Sequence, residues 1–378
     1  MAFDPDDNTF LLPGPVKIHP RVLRALSRPA MAHRDPGFVD INRRMNERLQ
    51  EVFQTASPVV TIAGSGTAGM EAAAVSLLRK SDAVVSLDGG KFGNRFAQLA
   101  GHYGDSTVVS AEWGQPFDLD VVAETVARVK PKLVTLTHNE TSTTVTNDLR
   151  RVCEIAHEHG ALVAADCITS IAGIPVPVDG WGVDLAVTGS QKALGMPSGL
   201  AFVSVSEAAK AAMYADGGYY LNLLKYVKKN ADNDTPFTPA IPLHVAAVEA
   251  LDIIHEEGLE NRFAKVRRQA NAVRSAIEAM GLEFMVPASH RSDTVTAIKY
   301  PDGVADKDVR GVLKNKHNVI IAGAQDAWKG KVFRIGHMGT VSFAELAGGL
   351  TLLEKVLLEA GAPIKKGVWA EAFSAHVP

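Results

Sequence analysis

The stretch DLAVTGSQKALGMPSG, residues 184–199, decides how the rest of the chain is read. Leu185, Ala186 and Val187 have the character of a short buried strand, which ends in small polar residues and a single lysine, Lys192. Gly195, Pro197 and Gly199 follow, so the backbone leaves in a tight irregular turn rather than a long helix. Most lysines are solvated surface charges. This one stands at the carboxyl end of a strand, where open parallel sheets hold their ligands. Partial desolvation there lowers an amine's pKa and makes it a usable nucleophile.

Working outward, the same strand-then-turn grammar repeats upstream. VVTIAG (59–64) reads as a strand and GTAGMEAAAVSLLR as a helix. AVVSL (83–87), STVVSA, KLVTLTH and ALVAAD (161–166) are further strands, separated by the helical runs NRFAQLAGHY, LDVVAETVARV and LRRVCEIAHEHG. Short apolar strands alternating with amphipathic helices imply an α/β fold: a mostly parallel central sheet covered by helices on both faces. GLAFVSV follows residue 199 without an intervening helix, so its pairing with DLAVTG is expected to be antiparallel. Two helices precede the series, at 19–26 and 38–53, after an irregular start that ends in LPGP. Residues 214–242 read as a long functional loop. Helices at 243–257 and 261–280 follow. Strands near Phe284, 295–300, 319–322 and 332–335 and a helix at 344–359 suggest a smaller α+β part. The expected division is a large cofactor-binding domain over 15–250, with 1–14 and 251–378 forming a small domain.

The totals exclude several classes. A chain of 378 residues with 46% hydrophobic and 21% charged residues is an ordinary globular composition. A net charge of -3 gives no electrostatic case for nucleic acid or an anionic membrane surface. Two cysteines, Cys153 and Cys167, are too few for a disulfide framework and lack metal-ligand spacing. The start, MAFDPDDNTF, has neither the basic nor the apolar region of a signal peptide, and no apolar run approaches membrane-spanning length. A cytoplasmic location is the expectation.

Other strand ends carry chemistry. Asp166 closes ALVAAD; it is either a turn former or the carboxylate that keeps a pyridine nitrogen protonated. GSGTAGMEAAA (64–74) opens a helix whose first amides can cradle a single phosphate, though a plain glycine-rich turn reads the same way. It is neither a Walker A loop nor a dinucleotide fingerprint. KFGNR (91–95) supplies Phe92, whose ring is either core or a stacking face for a flat cofactor. THNETSTTVT (137–146) is dense in hydroxyls that either cap a helix or donate to a phenolic oxygen. In FRIGHMG, Arg334 lies in an apolar strand, where it needs an anionic partner: a structural carboxylate or a substrate's. An amine, a ring-nitrogen acid, a phosphate cradle, a stacking ring and a carboxylate clamp together describe a site for pyridoxal 5'-phosphate, joined to Lys192 as a Schiff base.

On these residues the chain resembles the class V pyridoxal-phosphate aminotransferases of the alanine–glyoxylate, serine–glyoxylate and serine–pyruvate group. The likeness runs from LPGP to RIG at Arg334 and beyond, and HNETST, AVTGSQKALGMPSG, TPFTPAIP and EEGLENR are its most specific pieces. The resemblance implies a fold-type I transferase acting as a homodimer on a small amino acid and a small 2-oxo acid. It implies that Lys192 is the Schiff-base lysine and Asp166 the partner of the pyridine nitrogen. Ser65, Gly66, Thr67 and Gln191 would contact the phosphate, Phe92 would stack on the ring, Thr141 would sit near the ring hydroxyl, and Ile168 beneath the ring. Thr235 and Thr238 would reach the phosphate from the neighbouring subunit, and Arg334 would hold the substrate carboxylate. Thr67, Phe92 and Thr235 stand where the animal alanine–glyoxylate pattern has histidine, tryptophan and tyrosine, and Thr144 replaces a glycine. An aspartate/2-oxoglutarate aminotransferase is the alternative on the same fold. A cysteine desulfurase-type lyase would need a cysteine on a loop in the C-terminal part, a nicotinamide oxidoreductase the missing fingerprint, and a non-catalytic binding protein a solvated Lys192.

Overall fold

The computed structural model describes residues 8–378; residues 1–7, expected to begin the small domain, lie outside the described residues. The strands in chain order are β1 (Thr9–Leu11), β2 (Val59–Ala63), β3 (Ala83–Asp88), β4 (Asp105–Ser110) and β5 (Leu133–Thr137). A short pair follows, β6 (Asn139–Glu140) and β7 (Val145–Thr146), then β8 (Leu162–Asp166), β9 (Leu185–Gly189), β10 (Leu200–Val205), β11 (Val295–Lys299), β12 (Val319–Gly323) and β13 (Val332–Gly336).

Seven strands form the larger sheet in the order β2-β10-β9-β8-β5-β3-β4. β4, β3, β5, β8 and β9 pair in parallel. β10 runs against both of its neighbours, with Ala201 opposite Gly189 on one side and Ile62 on the other. The antiparallel pairing expected of GLAFVSV is therefore present. Because β10 alone is reversed, the carboxyl ends of β2, β3, β5, β8 and β9 all open on one edge, which is where such sheets accept ligands.

The continuous apolar strand sequences follow from burial on both faces. Successive side chains enter opposite cores: Val84 packs with Met70, Leu77 and Phe96, whereas Val85 packs with Val122, Val126 and Val152. Leu185 and Val187 face the first core and Ala186 the second. Amphipathic helices such as Leu149–Glu158 cover these faces, with Val152, Cys153, Ile155 and Ala156 inward. Both cysteines are free and buried, and desolvation pushes the Cys153 thiol up to about 12.

A four-stranded sheet, β1-β12-β13-β11, has its own core of Leu11, Ile298, Val319, Phe333 and Ile335 against the helices Leu259–Met280 and Phe343–Glu359. Within the run 1–14 expected to be irregular, Thr9–Leu11 is a strand that joins this sheet, parallel to Val319–Ile321. Three residues are too few to show a strand period, and the partner lies more than 300 positions away. The segment read as one long loop over 214–242 contains the helix Leu223–Asn230, capped by the Asn222 side chain and buried through Leu223, Tyr226 and Val227. Near Phe284 there is a single bridge to Ile298 rather than a strand. The tail closes with the helix Trp369–Ser374, whose Trp369 and Phe373 join the smaller core. No helix among the described residues is long and apolar enough to cross a membrane.

Candidate active site

The end of β2 delivers Ser65, the N-cap of the helix Gly66–Leu77. The Ser65 side chain makes no capping bond, and no bond among the described residues takes up the Gly66 and Thr67 amides. Free amides at a helix start favour an anion. A Cβ at Gly66 would lie 2.4 Å from Ile168 Cδ1, so any larger residue there must displace the Ile168 side chain. Gln191, at the end of β9, aims its side chain toward the same region, and its Oε1 is buried without a partner.

The end of β3 leads into the helix Lys91–Tyr103, which carries Phe92 in its first turn. Its N-terminus is held by Glu140, a 1% exposed residue of β6. Glu140 Oε2 accepts the Phe92 and Gly93 amides, both at 2.9 Å, and Oε1 accepts the Ser142 amide at 3.0 Å and its hydroxyl at 2.6 Å. A carboxylate at a helix start complements both the open amides and the macrodipole. Gly90 permits the close approach: a Cβ there would meet Glu140 Cγ at 2.7 Å and Ser142 Oγ at 2.6 Å. The hydroxyl-rich run thus forms the β6–β7 hairpin, with a buried carboxylate at its centre that fixes Phe92.

Asp166 ends β8, buried at 3% exposure, with Oδ1 accepting the Ile168 amide at 2.9 Å. Burial pushes its carboxyl up to about 7, against the pull of the Ile168 amide and the Lys192 and Arg95 charges. A desolvated carboxylate of this kind is completed by an incoming N–H cation. Lys192 lies across the same cavity; burial draws its ammonium down to about 8, opposed by the Asp166 charge. Its Nζ donates to the Pro13 carbonyl at 2.8 Å. Gly14 has φ +104, and a Cβ there would fall 2.3 Å from Lys192 Cδ, so the LPGP turn is shaped around the lysine. Arg262 of EEGLENR instead anchors the lysine's own turn: it donates to the carbonyls of Ala172 and of Ala193, the residue after Lys192, and pairs with Glu257 at 2.7 Å.

One cavity of about 260 Å³ collects Ser65, Gly66, Thr67, Phe92, Thr141 and Asp166, together with Ile168, Gln191 and Lys192. Three of the residues singled out from the sequence are elsewhere. Arg334 lines a neighbouring cavity of about 420 Å³ and donates to the carbonyls of Gly323 (2.9 and 2.6 Å) and Thr141, the latter a residue of the first cavity. Desolvation lowers this guanidinium to about 10, and no carboxylate among the described residues pairs with it. Thr235 donates to the Phe237 carbonyl at 2.8 Å and lines a separate small cavity with Asn42 and His244, while Thr238 is exposed.

Several residues escaped the sequence. Glu140 reads as one more polar residue in a hydroxyl-rich run, and Pro13 and Gly14 as an ordinary turn. Arg95, Asn139 and Thr169 also line the cavity. The one local signal was a glutamate flanked by short polar residues; the glycine-opened helix that it caps lies about 48 positions upstream. Thr144 gains a reason: it is buried with φ +55, a left-handed position natural to glycine, and this geometry lets its carbonyl accept the Ser292 amide at 2.9 Å.

Comparison with known proteins matches this arrangement to a family. The class-V aminotransferase model covers residues 23–344. The chain is 38% identical over 372 residues to an uncharacterized aminotransferase of Methanocaldococcus jannaschii, covering 97% of each. It is 32% identical over 391 residues to the serine–glyoxylate aminotransferase of Arabidopsis thaliana, covering 99% of this chain and 96% of that one. Among solved structures, the ureidoglycine–glyoxylate aminotransferase of Bacillus subtilis superposes with a TM-score of 0.94 at 32% identity, covering 98% of each chain. The fold is accordingly that of the fold-type I transferases. The chain is an enzyme of the pyridoxal-phosphate-dependent class-V aminotransferase family.

Proposed function

We propose that the cavity around Lys192 holds pyridoxal phosphate. The protein then moves an amino group from a small amino acid, alanine or serine, to a small 2-oxo acid, glyoxylate or pyruvate. The observation that carries this is the meeting of a desolvated amine and a desolvated carboxylate in one cavity, beside unpaired helix-start amides. The residues fit the group: the buried Gln191 Oε1 lacks a partner, the Ser65 hydroxyl is uncommitted, and Gly66 leaves the helix start bare. Lys192 would hold the cofactor through its aldehyde, Asp166 would face the ring nitrogen, and Phe92 and Ile168 would flank the ring. The phosphate would rest on Ser65, Gly66, Thr67 and Gln191, with Thr141 near the ring hydroxyl.

When bound, the cofactor supplies an electron sink for the carbanion formed at the donor's α-carbon. Asp166, as a carboxylate, keeps the ring nitrogen protonated. Lys192 Nζ, whose lowered pKa gives it a far larger free-amine fraction at neutral pH than an exposed lysine has, would take the α-proton from the donor once released from the aldehyde; a positioned base contributes about 10²–10⁴-fold. Arg334, buried and without a carboxylate of its own, would offer the substrate carboxylate the two N–H groups left over from its bonds to Gly323 and Thr141. A cavity of about 260 Å³ shared with a cofactor leaves space for a short substrate side chain. Thr235 and Thr238 stand outside this cavity, which accords with their serving the phosphate of a neighbouring subunit in a homodimer.

The test is a panel of donors against acceptors with the purified protein, read by chromatography of the product amino acids. Alanine or serine with glyoxylate or pyruvate should give the highest kcat/KM. Aspartate ahead of both would change the donor assigned, and sulfide release from cysteine without amino exchange would overturn the reading.

A further inference from the structure

Two cationic side chains line the cavity, Lys192 and Arg95. Lys192 serves the aldehyde end. Arg95 lies three residues after Phe92 on the helix Lys91–Tyr103 and so on the same face. Its Nη1 donates to Thr67 Oγ1 at 3.2 Å, and its guanidinium carbon stands 5.1 Å from the centroid of the Phe92 ring. A neutral hydroxyl and an aromatic face are thus its partners, and no carboxylate among the described residues pairs with it.

The rest of the anion cradle is uncharged: the Ser65 and Thr67 hydroxyls, two helix-start amides and the Gln191 amide. A phosphate monoester carries between one and a half and two negative charges at neutral pH, ~1.5–2. Helix-start amides alone offset only about half a charge. Thr67 Oγ1 accepts from Arg95, which leaves its own O–H free to donate to an anion on the cavity side.

We propose that Arg95 is the cation that clamps the phosphate, directly and through the oriented Thr67 hydroxyl, and that it sets the preference for phosphorylated over unphosphorylated pyridoxal. This rests on the cavity being a pyridoxal-phosphate site. A distal carboxylate of a dicarboxylic substrate is the competing use of the same guanidinium. The contact with Thr67, in the first turn of the helix whose open amides form the cradle, favours the phosphate.

The experiment titrates apo-protein with pyridoxal phosphate and with pyridoxal, following the visible absorption of the Lys192 adduct, for the wild type, Arg95→Gln and Arg95→Lys. A lost charge-assisted hydrogen bond corresponds to roughly 10- to 100-fold in Kd. Arg95→Gln should therefore weaken pyridoxal phosphate by about that factor and pyridoxal far less, since there only the pull of its charge on Asp166 is lost, so that pyridoxal reports an intact pocket. Arg95→Lys, with the charge but not the fork, should fall between. Unchanged phosphate affinity in Arg95→Gln overturns the proposal, and all the more so if KM rises for dicarboxylic substrates alone. Equal loss of both ligands also overturns it, making Arg95 a scaffold residue. A wild type that captures neither ligand at Lys192 instead refutes the cofactor site itself.

Discussion

Replacing Glu140 by glutamine changes no volume, yet it should damage both the fold and the cofactor pocket. The carboxylate accepts four hydrogen bonds, two at each oxygen, and is 1% exposed, so water cannot substitute. An amide keeps one acceptor oxygen and turns the other position into a donor. Either the Phe92 and Gly93 amides or the Ser142 pair must then face an NH₂ group. The Ser142 hydroxyl can turn to accept from that group, so the cheaper orientation strands only the Ser142 amide: at least one hydrogen bond to a charged acceptor is lost, about 1.5–3 kcal/mol. Total stabilities of about 5–15 kcal/mol make that a large fraction. Urea denaturation of the apo-protein should move to a clearly lower midpoint with little change in slope. The pyridoxal phosphate Kd should rise at the same time, because the turn that carries Phe92 loosens. A loss under about 1 kcal/mol would refute the argument, since it would fall within the range of an ordinary neutral hydrogen bond.

Other expectations follow from the same geometry. Gly14→Ala places a methyl 2.3 Å from Lys192 Cδ at φ +104, so adduct formation with pyridoxal phosphate should slow at least about tenfold while helical content is kept; unaltered kinetics would remove LPGP from the site. Arg334→Gln should lower kcat/KM by about 10- to 100-fold through KM and leave cofactor binding alone. Lys192, drawn down from 10.5 to about 8, should capture pyridoxal phosphate at a rate that climbs with pH and levels above about 8. In the same apo-protein the folded state holds fewer protons than the unfolded state between about 8 and 10.5, so this lysine makes stability rise with pH across that window; a fall attributable to Lys192 would contradict the assignment.

What could be read in the sequence was whatever a local period encodes. Leu185 to Val187, Val163 to Ala165 and their relatives are apolar on both faces because both are buried, and their spacing by helices sets a parallel sheet with its strand ends on one edge. Lys192, Asp166 and the Gly66 helix start were legible for that reason. Thr9–Leu11 was not, because a three-residue strand has meaning only beside Val319–Ile321. The helix Leu223–Asn230 was hidden by its lysines and its short length. Glu140, Arg95 and Gly14 act through contacts 48, 28 and 179 residues away, with Phe92, Thr67 and, through Pro13, Lys192, and no window of sequence contains both partners. Thr144 was visible as an oddity, and the left-handed backbone explains why glycine is natural there.

Everything proposed for the cavity turns on which nitrogen binds the vitamin-derived aldehyde. Borohydride reduction of the holoenzyme, digestion and peptide mass spectrometry address that directly. The account predicts one pyridoxyl-phosphate group, on Nζ of Lys192. A label on another lysine, or a coloured protein whose peptide spanning 184–199 stays unmodified after reduction, would contradict it.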